Sequence, residues 1–418
     1  MSQNLTSHGA GVADPDCARP ERDRIPPAAS RQDSLSLLAR LCARAQGERD
    51  SLVRTLGENE ADWRALLSAA ADHGMTPVAC QRLLETCGSN LPEHRRARLR
   101  EESARCAHRN LLMTAELIRV LRPLERAGVQ AIPFKGPVLA QQAYGDLALR
   151  QFSDLDVVLP HSRMPEAHRI LEGIGYVSEN AARAMAEGRI PGQYAYRSGR
   201  GVLLELHTEK TMRYLPMPLD WNLLGGRLET VSAGGQALLT FSAEDTMMLL
   251  CVHGTKHFWT RLGWICDIAE LAQAPRAIDW ELAAAVARKM RCRRMWMLGL
   301  ALANQLLAAP LPDAISRQIG GDARVMELAR LVQDKYLRSG ESAVSAGERV
   351  RFRVHSQDSL AMGLRQASIF ATRPTDEDWR SNSLPRWASP LYAILRPLRI
   401  ARVYGLGLRR SGGAAPRP

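Results

Sequence analysis

The chain has 418 residues and a formal net charge of +12, and apolar residues make up 45% of it. This length allows two or three domains, and the apolar share is ordinary for a globular protein. No run of about 18 uncharged apolar residues occurs, so no membrane-spanning helix is expected. The first 30 residues lack the apolar segment of a secretory signal. We predict a disordered tail there and a cytoplasmic protein.

The eight cysteines show no pattern typical of a zinc site. None belongs to a Cys-x-x-Cys pair, the spacing that many zinc sites use. Most lie in apolar helical patterns, so we predict buried free thiols in a reducing compartment. The positions are Cys17, Cys42, Cys80, Cys87, Cys106, Cys251, Cys266 and Cys292.

Residues 31–128 carry apolar side chains at helical spacing, which predicts a helical region. One pattern starts at Trp63, and Gly74 is its expected stop. A longer pattern covers Glu93–Arg126 and is closed by Gly128.

Residues 129–240 change to short apolar runs separated by turn signals, which predicts a small α/β core. The turn at 198–201 contains two glycines and suits a hairpin. The predicted elements are a strand at 130–134, a helix at 137–145, a strand at 154–159, a helix at 164–173, and an antiparallel strand pair near 193–197 and 202–207.

Asp154 and Asp156 begin the second predicted strand with one apolar residue between them. Side chains alternate along a strand, so both carboxylates lie on one face and repel each other. Oxygen-rich pairs of this kind suit Mg²⁺, the usual counterion of nucleotide phosphates. Glu205, centred in a later apolar strand, is the candidate third ligand, because an unpaired buried carboxylate is costly. Its alternative is an outward-facing position on an edge strand.

Residues 241–380 return to a helical pattern, predicted to form a second helical domain. His253 and His257 stand four residues apart with Lys256 beside them, on a helix expected to continue further. Three interpretations stay open. Lys256 and one histidine line a nucleotide or acceptor cleft, the pair binds a transition metal, or tryptophans pack the helix and its polar groups are satisfied.

Residues 381–418 form a basic tail in which arginine is the only charged residue from position 385 onward. We expect it to meet an acidic partner, RNA or anionic lipid, with weak and salt-sensitive binding. Leucines and an isoleucine recur there at helical spacing, and Pro397 predicts a kinked or two-part helix. The helix either lies on a membrane surface or docks on its own protein with solvated arginines. The tail arginines are Arg386, Arg396, Arg399, Arg402, Arg409, Arg410 and Arg417.

A set of residues in fixed order resembles the DNA polymerase β-type nucleotidyltransferase superfamily. It consists of Gly136 at a strand-to-helix turn, Asp154 and Asp156 as Asp-x-Asp, and Glu205 in a later strand. With Lys-Gly, a tyrosine in the helix, Arg-x-x-Ser-Asp-x-Asp and Glu-x-His, it is similar to bacterial nucleotidyltransferase family proteins. Lys-Gly-Pro stands here where Gly-Ser or Gly-Gly is common. The resemblance implies an α+β fold, with a small mixed-sheet polymerase β-like core flanked by N-terminal and C-terminal helical regions.

The resemblance also implies roles for individual residues. Asp154, Asp156 and Glu205 would hold Mg²⁺ or Mn²⁺ and form the catalytic group. Gly136 lets the backbone approach the triphosphate at a helix start. Arg150 has a second interpretation, a pairing with one of the two aspartates. The nucleotide-binding candidates are Lys135, Gly136, Arg150, Ser153, Lys256 and His257.

The function these residues favour is Mg²⁺-dependent transfer of a nucleotide from a nucleoside triphosphate, with ATP expected as the donor. The acceptor would be a hydroxyl or phosphate on a small molecule, peptide or protein, in a biosynthetic tailoring role that only the resemblance implies. Two alternatives stay open. One is a nucleotide- or partner-binding module with a vestigial site. The other is an enzyme that adds nucleotides to RNA ends through the basic tail, although no aromatic platform for RNA is visible.

Overall fold

The computed structural model describes residues 28–43, 60–87, 91–212, 214–340, 344–375, 378–379, 384 and 386–400. The predicted disordered tail therefore lies outside the described residues up to position 27, as does the end of the basic tail from position 401. Within the described ranges, no helix is long and apolar enough to cross a bilayer.

The N-terminal region is helical, as predicted. Gly74 follows the second helix with φ at 71°, a conformation that glycine adopts without a steric penalty. The longest helix includes Pro123 in its last turns, and Gly128 follows at φ 67°. The four helices are α1 (Ala28–Cys42), α2 (Glu60–Asp72), α3 (Thr76–Cys87) and α4 (Glu93–Arg126).

A five-stranded mixed sheet lies next along the chain, and its strand order is β1-β2-β5-β4-β3. The central pair β2 and β5 is parallel, whereas β1–β2, β3–β4 and β4–β5 are antiparallel. The α+β class and the small mixed sheet are thus confirmed. The strands are β1 (Ile132–Pro133), β2 (Asp154–Val158), β3 (Tyr176–Val177), β4 (Tyr194–Ser198) and β5 (Leu203–His207).

Short helices connect these strands. α5 (Gly136–Leu139) continues as a π-helical turn over Ala140–Tyr144, and a 3₁₀ turn follows at Leu147–Leu149. A 3₁₀ turn at His161–Arg163 leads into α6 (Met164–Gly173), and α7 (Glu179–Ala186) and α8 (Trp221–Gly225) follow.

A hairpin of β6 (Glu229–Ala233) and β7 (Gln236–Thr240) was not predicted, nor were β3 and α7. The sequence did carry its signal. Gly234 and Gly235 form the turn, both at positive φ, and a Gly-Gly pair between two short runs is typical of a two-residue hairpin. β3, at two residues, is too short for a periodic pattern.

The C-terminal half is helical. The expected helix through His257 is wrong at one point, because it ends at Lys256 and a new helix begins at Leu262. The helices are α9 (Ala243–Lys256), α10 (Leu262–Ala272), α11 (Trp280–Lys289), α12 (Arg293–Leu307), α13 (Asp313–Gly320), α14 (Ala323–Leu331) with a π-helical turn at Val332–Tyr336, α15 (Leu337–Ser339), α16 (Ala346–His355), α17 (Leu360–Thr372) and, after a 3₁₀ turn at Arg386–Leu391, α18 (Tyr392–Ile400).

Two apolar clusters hold these elements together, and both cross the predicted domain boundaries. One packs the second half of α4, through Leu117 and Leu124, against the sheet. The other joins the N-terminal helices to α9–α14 and includes Phe134 and Val158 from the other face of the sheet. The α/β core is therefore packed between both helical regions.

The cysteines support the thiol prediction where the structure describes them. Free thiols are found at Cys42, Cys80, Cys106, Cys251, Cys266 and Cys292, all buried except Cys106, which is half-buried. Burial raises the pKa of the Cys80 thiol to about 12, so this thiol is largely protonated at neutral pH.

Candidate active site

A tight strand-to-helix turn brings Lys135 and Gly136 to the head of β2. Gly136 has φ at 57°, and a Cβ there would lie 3.6 Å from the carbonyl oxygen of Asp154. The residue is glycine because L side chains rarely adopt this conformation. Lys135 is extended and Pro137 follows in the first helical turn, where the missing N–H costs nothing.

The register of two parallel strands places the acidic residues side by side. Asp156 of β2 pairs with Glu205 of β5, and Asp154 and His207 lie two residues away along their own strands. Side chains alternate along each strand, so all four project from the same face of the sheet. Glu205 stands on an interior strand between β2 and β4, so its edge-strand alternative is wrong.

The Asp156 carboxylate is buried and held by two basic side chains. Its Oδ1 lies 2.9 Å from Nε2 of His207 and 3.3 Å from Nζ of Lys135. Burial favours the neutral acid, but Lys135 and His207 outweigh it and hold the pKa of Asp156 below its usual value. This carboxylate is therefore ionised at neutral pH.

Glu205 differs from Asp156 because its surroundings favour the neutral acid. Its Oε1 accepts a hydrogen bond of 2.5 Å from Nε2 of Gln193, and its Oε2 lies 3.8 Å from Nε2 of His207. Burial, together with repulsion from Asp156 and then Asp154, raises the pKa of Glu205 to about 7. Burial and Asp156 also raise the pKa of Asp154. Burial and the neighbouring carboxylates therefore oppose the ionisation of Asp154 and Glu205, whereas Asp156 stays ionised.

Among the described residues, Asp156, Glu205 and His207 offer ligand atoms that lie within 4.8 Å of one another and could hold a metal ion. Two carboxylates and one imidazole suit a divalent cation. Asp154 is not in this group of three but lies on the same face, so the trio of Asp154, Asp156 and Glu205 stays a prediction. His207 was missed as a site residue. The sequence feature that could have identified His207 is its position two residues after Glu205 on the same strand, which puts both side chains on one face.

Arg150 has a carboxylate partner outside the sheet. Its Nε and Nη2 donate to the two oxygens of Asp267 on α10, at 2.8 and 3.0 Å. The hydroxyl of Tyr144 donates to the same carboxylate at 2.8 Å. The alternative that Arg150 pairs with Asp154 or Asp156 is therefore wrong, since Asp267 fills that role. A phosphate contact by Arg150 stays a prediction.

Lys256 lies near the acidic face. Its pKa is lowered to about 8, chiefly by burial and by the charge of Lys135, while Glu205 and Asp156 act in the opposite direction. Its Nζ stacks 4.6 Å from the ring centre of Tyr214, a residue that the sequence did not indicate. The structure thus places Lys135 in contact with Asp156 and Lys256 close enough for its charge to act on Glu205 and Asp156.

His253, in the last turn of α9, and His257, directly after this helix, pack against Trp264. The ring centres of His253 and His257 are 4.8 Å apart, and each lies within 5.4 Å of the tryptophan ring. Burial lowers the pKa of His253, so it is neutral at physiological pH. This packing favours the interpretation of a tryptophan-packed helix over that of a transition-metal pair.

Ser153 is exposed, directly before β2.

Residues 59–308 match a family described as uncharacterised nucleotidyltransferase. This range contains all of the predicted site residues. No curated protein matches the chain. Among solved structures, the chain is similar to an antigenic nucleotidyltransferase-like protein from Paracoccidioides brasiliensis, with 18% sequence identity over 51% of this chain and 96% of that chain and a TM-score of 0.29.

Proposed function

The chain belongs to this uncharacterised nucleotidyltransferase family, and from that premise we propose that it transfers a nucleotide from a nucleoside triphosphate to an acceptor oxygen with the help of a divalent metal ion. The proposal rests on the group formed by Asp156, Glu205 and His207. The Asp156 oxygen that bonds to His207 also lies within 3.3 Å of the Nζ atom of Lys135. Clustered carboxylates beside lysines can bind a metal ion and phosphates together.

The residues present fit Mg²⁺ or Mn²⁺. Asp154, Asp156 and Glu205 would be the ligands. Burial and the neighbouring aspartates raise the pKa of Glu205, so a bound cation would favour its ionised form. His207 would position Asp156 through its Nε2, as a bonded partner of a ligand carboxylate commonly does. When bound, the metal ions would stabilise charge on the reacting phosphate.

The chain's own residues would bind and orient the nucleotide. Lys135 and Lys256 supply positive charge, and Gly136 allows the backbone N–H groups at the start of α5 to approach the phosphates. Arg150, Ser153 and His257 remain candidate contacts. Of these, Arg150 would contribute less charge because Asp267 already neutralises it.

The transfer itself is a substitution at the α-phosphorus. The acceptor oxygen forms a bond to this phosphorus, the bond to the oxygen bridging to the β-phosphate breaks, and pyrophosphate leaves. When the acceptor is a hydroxyl, its proton would pass to the carboxylate of Glu205, which is available as a base when ionised; an ionised phosphate acceptor releases no proton. The expected donor is ATP. The expected acceptor is a hydroxyl or phosphate of a small molecule, peptide or protein in a biosynthetic tailoring role in the cytoplasm.

The test compares ATP labelled at the α-phosphate with ATP labelled at the γ-phosphate, each incubated with the protein, Mg²⁺ or Mn²⁺, and fractionated small molecules, peptides and proteins. We expect label to enter an acceptor only from the α-labelled ATP, with release of pyrophosphate. Asp156→Asn should abolish this transfer, whereas Glu172→Gln, at an exposed carboxylate on α6, should retain it.

Calorimetry separates the remaining outcomes. Wild type should bind ATP only with Mg²⁺ or Mn²⁺, and the pair Asp154→Asn with Asp156→Asn should lose that dependence. Equal metal-dependent binding by both proteins would remove the metal assignment. Binding that depends on these carboxylates without transfer to any acceptor would instead favour a nucleotide-binding module.

A further inference from the structure

The carboxylate of Glu205 is held on one side by an amide. Its Oε1 accepts a hydrogen bond of 2.5 Å from Nε2 of Gln193, and its Oε2 lies 3.8 Å from Nε2 of His207. A glutamate side chain rotates about several bonds, and a hydrogen bond to one oxygen limits the directions that the other oxygen can take. The contact with Gln193 therefore leaves Oε2 beside His207, a member of the candidate metal group.

Gln193 lies directly before β4, on the face of the sheet that carries the acidic residues. Ala195 pairs with Glu205 across β4 and β5, and side chains two residues apart along a strand project to the same face. Asn180 of α7 fixes this end of β4. Its Nδ2 donates to the carbonyl oxygen of Gln193 at 2.9 Å, and its Oδ1 accepts from the N–H of Ala195 at 3.1 Å. The backbone that carries the Gln193 amide is thus tied to α7.

The loop between α7 and β4 is also held at residue 189. The Nη2 atom of Arg189 donates to the carbonyl oxygen of Leu384 at 2.9 Å. The guanidinium group lies 5.2 Å from the ring centre of Trp379 and 5.8 Å from that of Tyr392, distances at which a cation is attracted to an aromatic ring. Residues near the C-terminus therefore hold the loop that leads into Gln193.

These C-terminal residues are fixed in turn by the arginines of the last described helix. α18 runs through Pro397 without a break. Arg396 is 4% exposed and donates to the carboxylate of Asp378, and Arg399 donates to the same carboxylate at 2.6 Å. The expectation that a docked helix leaves these arginines solvated is wrong, because one buried carboxylate holds both. Trp379, next to Asp378, is thereby held against the loop.

We propose that Gln193 is a positioning residue for Glu205, whose amide keeps the carboxylate turned toward the candidate metal group. The inference rests on the proposed function, in which Glu205 is a metal ligand. Gln193 is half-buried, so water can reach its surroundings and the bond to Glu205 is not required to satisfy the amide. An amide nitrogen donates and an ionised carboxylate accepts, so the contact favours the form of Glu205 that binds a cation.

Mn²⁺ binding to the full chain without nucleotide tests the proposal and needs no acceptor. Gln193→Leu keeps the approximate size of the side chain and removes the donor, and Gln193→Ala removes both. Each variant should bind Mn²⁺ about ten-fold more weakly than wild type or worse, because partners of metal ligands typically change metal affinity by about 10- to 100-fold. Electron paramagnetic resonance of free Mn²⁺ at pH 8 measures the affinity, and circular dichroism with a chelator checks that each variant is folded.

A double replacement shows whether Gln193 acts through Glu205. In a Glu205→Gln background, Gln193→Leu should cause no further loss of Mn²⁺ affinity, because the carboxylate that it positions is gone. A role in folding alone would not produce this dependence on Glu205. The matched control is Gln305→Leu on α12, which removes a hydrogen bond of 2.6 Å with the exposed Gln333. This control should bind Mn²⁺ as wild type does.

Two results would overturn the positioning role of Gln193 and leave the proposed function in place. One is Mn²⁺ binding by Gln193→Leu and Gln193→Ala with the affinity of wild type. The other is an equal loss of affinity on Gln193→Leu in the wild-type and Glu205→Gln backgrounds, which would show an effect that does not pass through Glu205. Absence of Mn²⁺ binding by wild type itself would overturn both this inference and the metal assignment.

Discussion

At the scale of single residues, Glu205 illustrates how a buried carboxylate links function to stability. Its pKa of about 7 in the folded protein lies above the ordinary value of 4.5. Between these two values the folded state holds more protons than the unfolded state, so the free energy of unfolding falls as the pH rises. Above about pH 7 the whole cost of the ionised carboxylate is present.

We therefore predict that Glu205→Gln stabilises the metal-free protein at pH 8 by up to about 3 kcal/mol and has little effect at pH 4. Mn²⁺ should raise the melting temperature of wild type at pH 8 and raise that of the variant much less, because a ligand is lost. Thermal melts in the presence of a chelator and then of Mn²⁺ measure both effects. A variant less stable than wild type at pH 8 without metal would show that the carboxylate is already compensated.

The second residue-scale prediction concerns Arg150 and Asp267, whose side chains are 11% and 4% exposed. Arg150→Ala leaves Asp267 buried with the Tyr144 hydroxyl as its remaining side-chain donor among the described residues, and the expected loss of stability is about 3–5 kcal/mol. If Arg150 were only a phosphate-binding residue on a loop, its replacement by alanine would leave the free energy of unfolding unchanged. Denaturant unfolding measures the loss.

A double replacement separates structure from nucleotide binding. Arg150→Met with Asp267→Leu removes both charges, and an apolar pair of similar volume is often as stable as a buried ion pair. If the double variant folds and binds ATP with the affinity of wild type, Arg150 has no phosphate role. If it folds and ATP binding weakens by roughly 1.5–3 kcal/mol, Arg150 has both roles.

At the scale of elements, the break after α9 is set by close packing of one tryptophan on one glycine. Phe258 and Trp259 adopt positive φ of 58° and 53°, which is uncommon for side chains of this size. The ring of Trp259 folds back onto Gly254, where a Cβ would lie 2.4 Å from a ring carbon. A helix continued through this segment would lose that packing.

We predict that Gly254→Ala lowers the free energy of unfolding by about 1–3 kcal/mol, because the added methyl group forces the tryptophan ring to move. The matched control is Gly173→Ala at the end of α6, where a Cβ would meet nothing within 4 Å. There, alanine should be neutral or stabilising by up to about 1 kcal/mol. Equal effects at the two positions would contradict the packing argument.

At the scale of the whole molecule, the packing indicates that the predicted domains do not unfold independently. We predict that the α/β core and the helical domain unfold in one transition, because both apolar clusters span the predicted boundaries. Leu117→Ala, in the cluster of α4 and the sheet, should cost about 2–5 kcal/mol. Trp63 and Trp221 both pack in the other cluster, and no tryptophan belongs to the cluster of α4 and the sheet, so tryptophan fluorescence in the described residues reports on other parts of the chain.

The fluorescence transition of Leu117→Ala should therefore shift together with the circular dichroism transition. Leu298→Ala, at a fully buried position on α12, serves as the matched substitution in the helical domain and should shift the same transition. A fluorescence transition that stays in place for Leu117→Ala would show that the core unfolds separately.

Local patterns determined much of the fold and the acidic part of the candidate site. The alternation around Asp154 and Asp156, the run around Glu205 and the glycine turn at 136 predicted the strands and their shared face before any tertiary contact was known. Period and turn chemistry are local properties, so a sequence carries them directly. The Gly-Gly turn of the hairpin at residues 229–240 is also a local signal, but the sequence prediction missed this hairpin.

The tertiary structure alone decided which distant groups meet. Arg150 pairs with Asp267, more than 100 positions away, and Asp378 turns the arginines of α18 inward. Both outcomes depend on which carboxylate is buried within reach, and spacing along the chain does not report that. The sequence by itself determined the core and its carboxylates. Packing across the chain decided how α9 ends and which charges are neutralised, because buried charge must find a partner wherever the fold provides one.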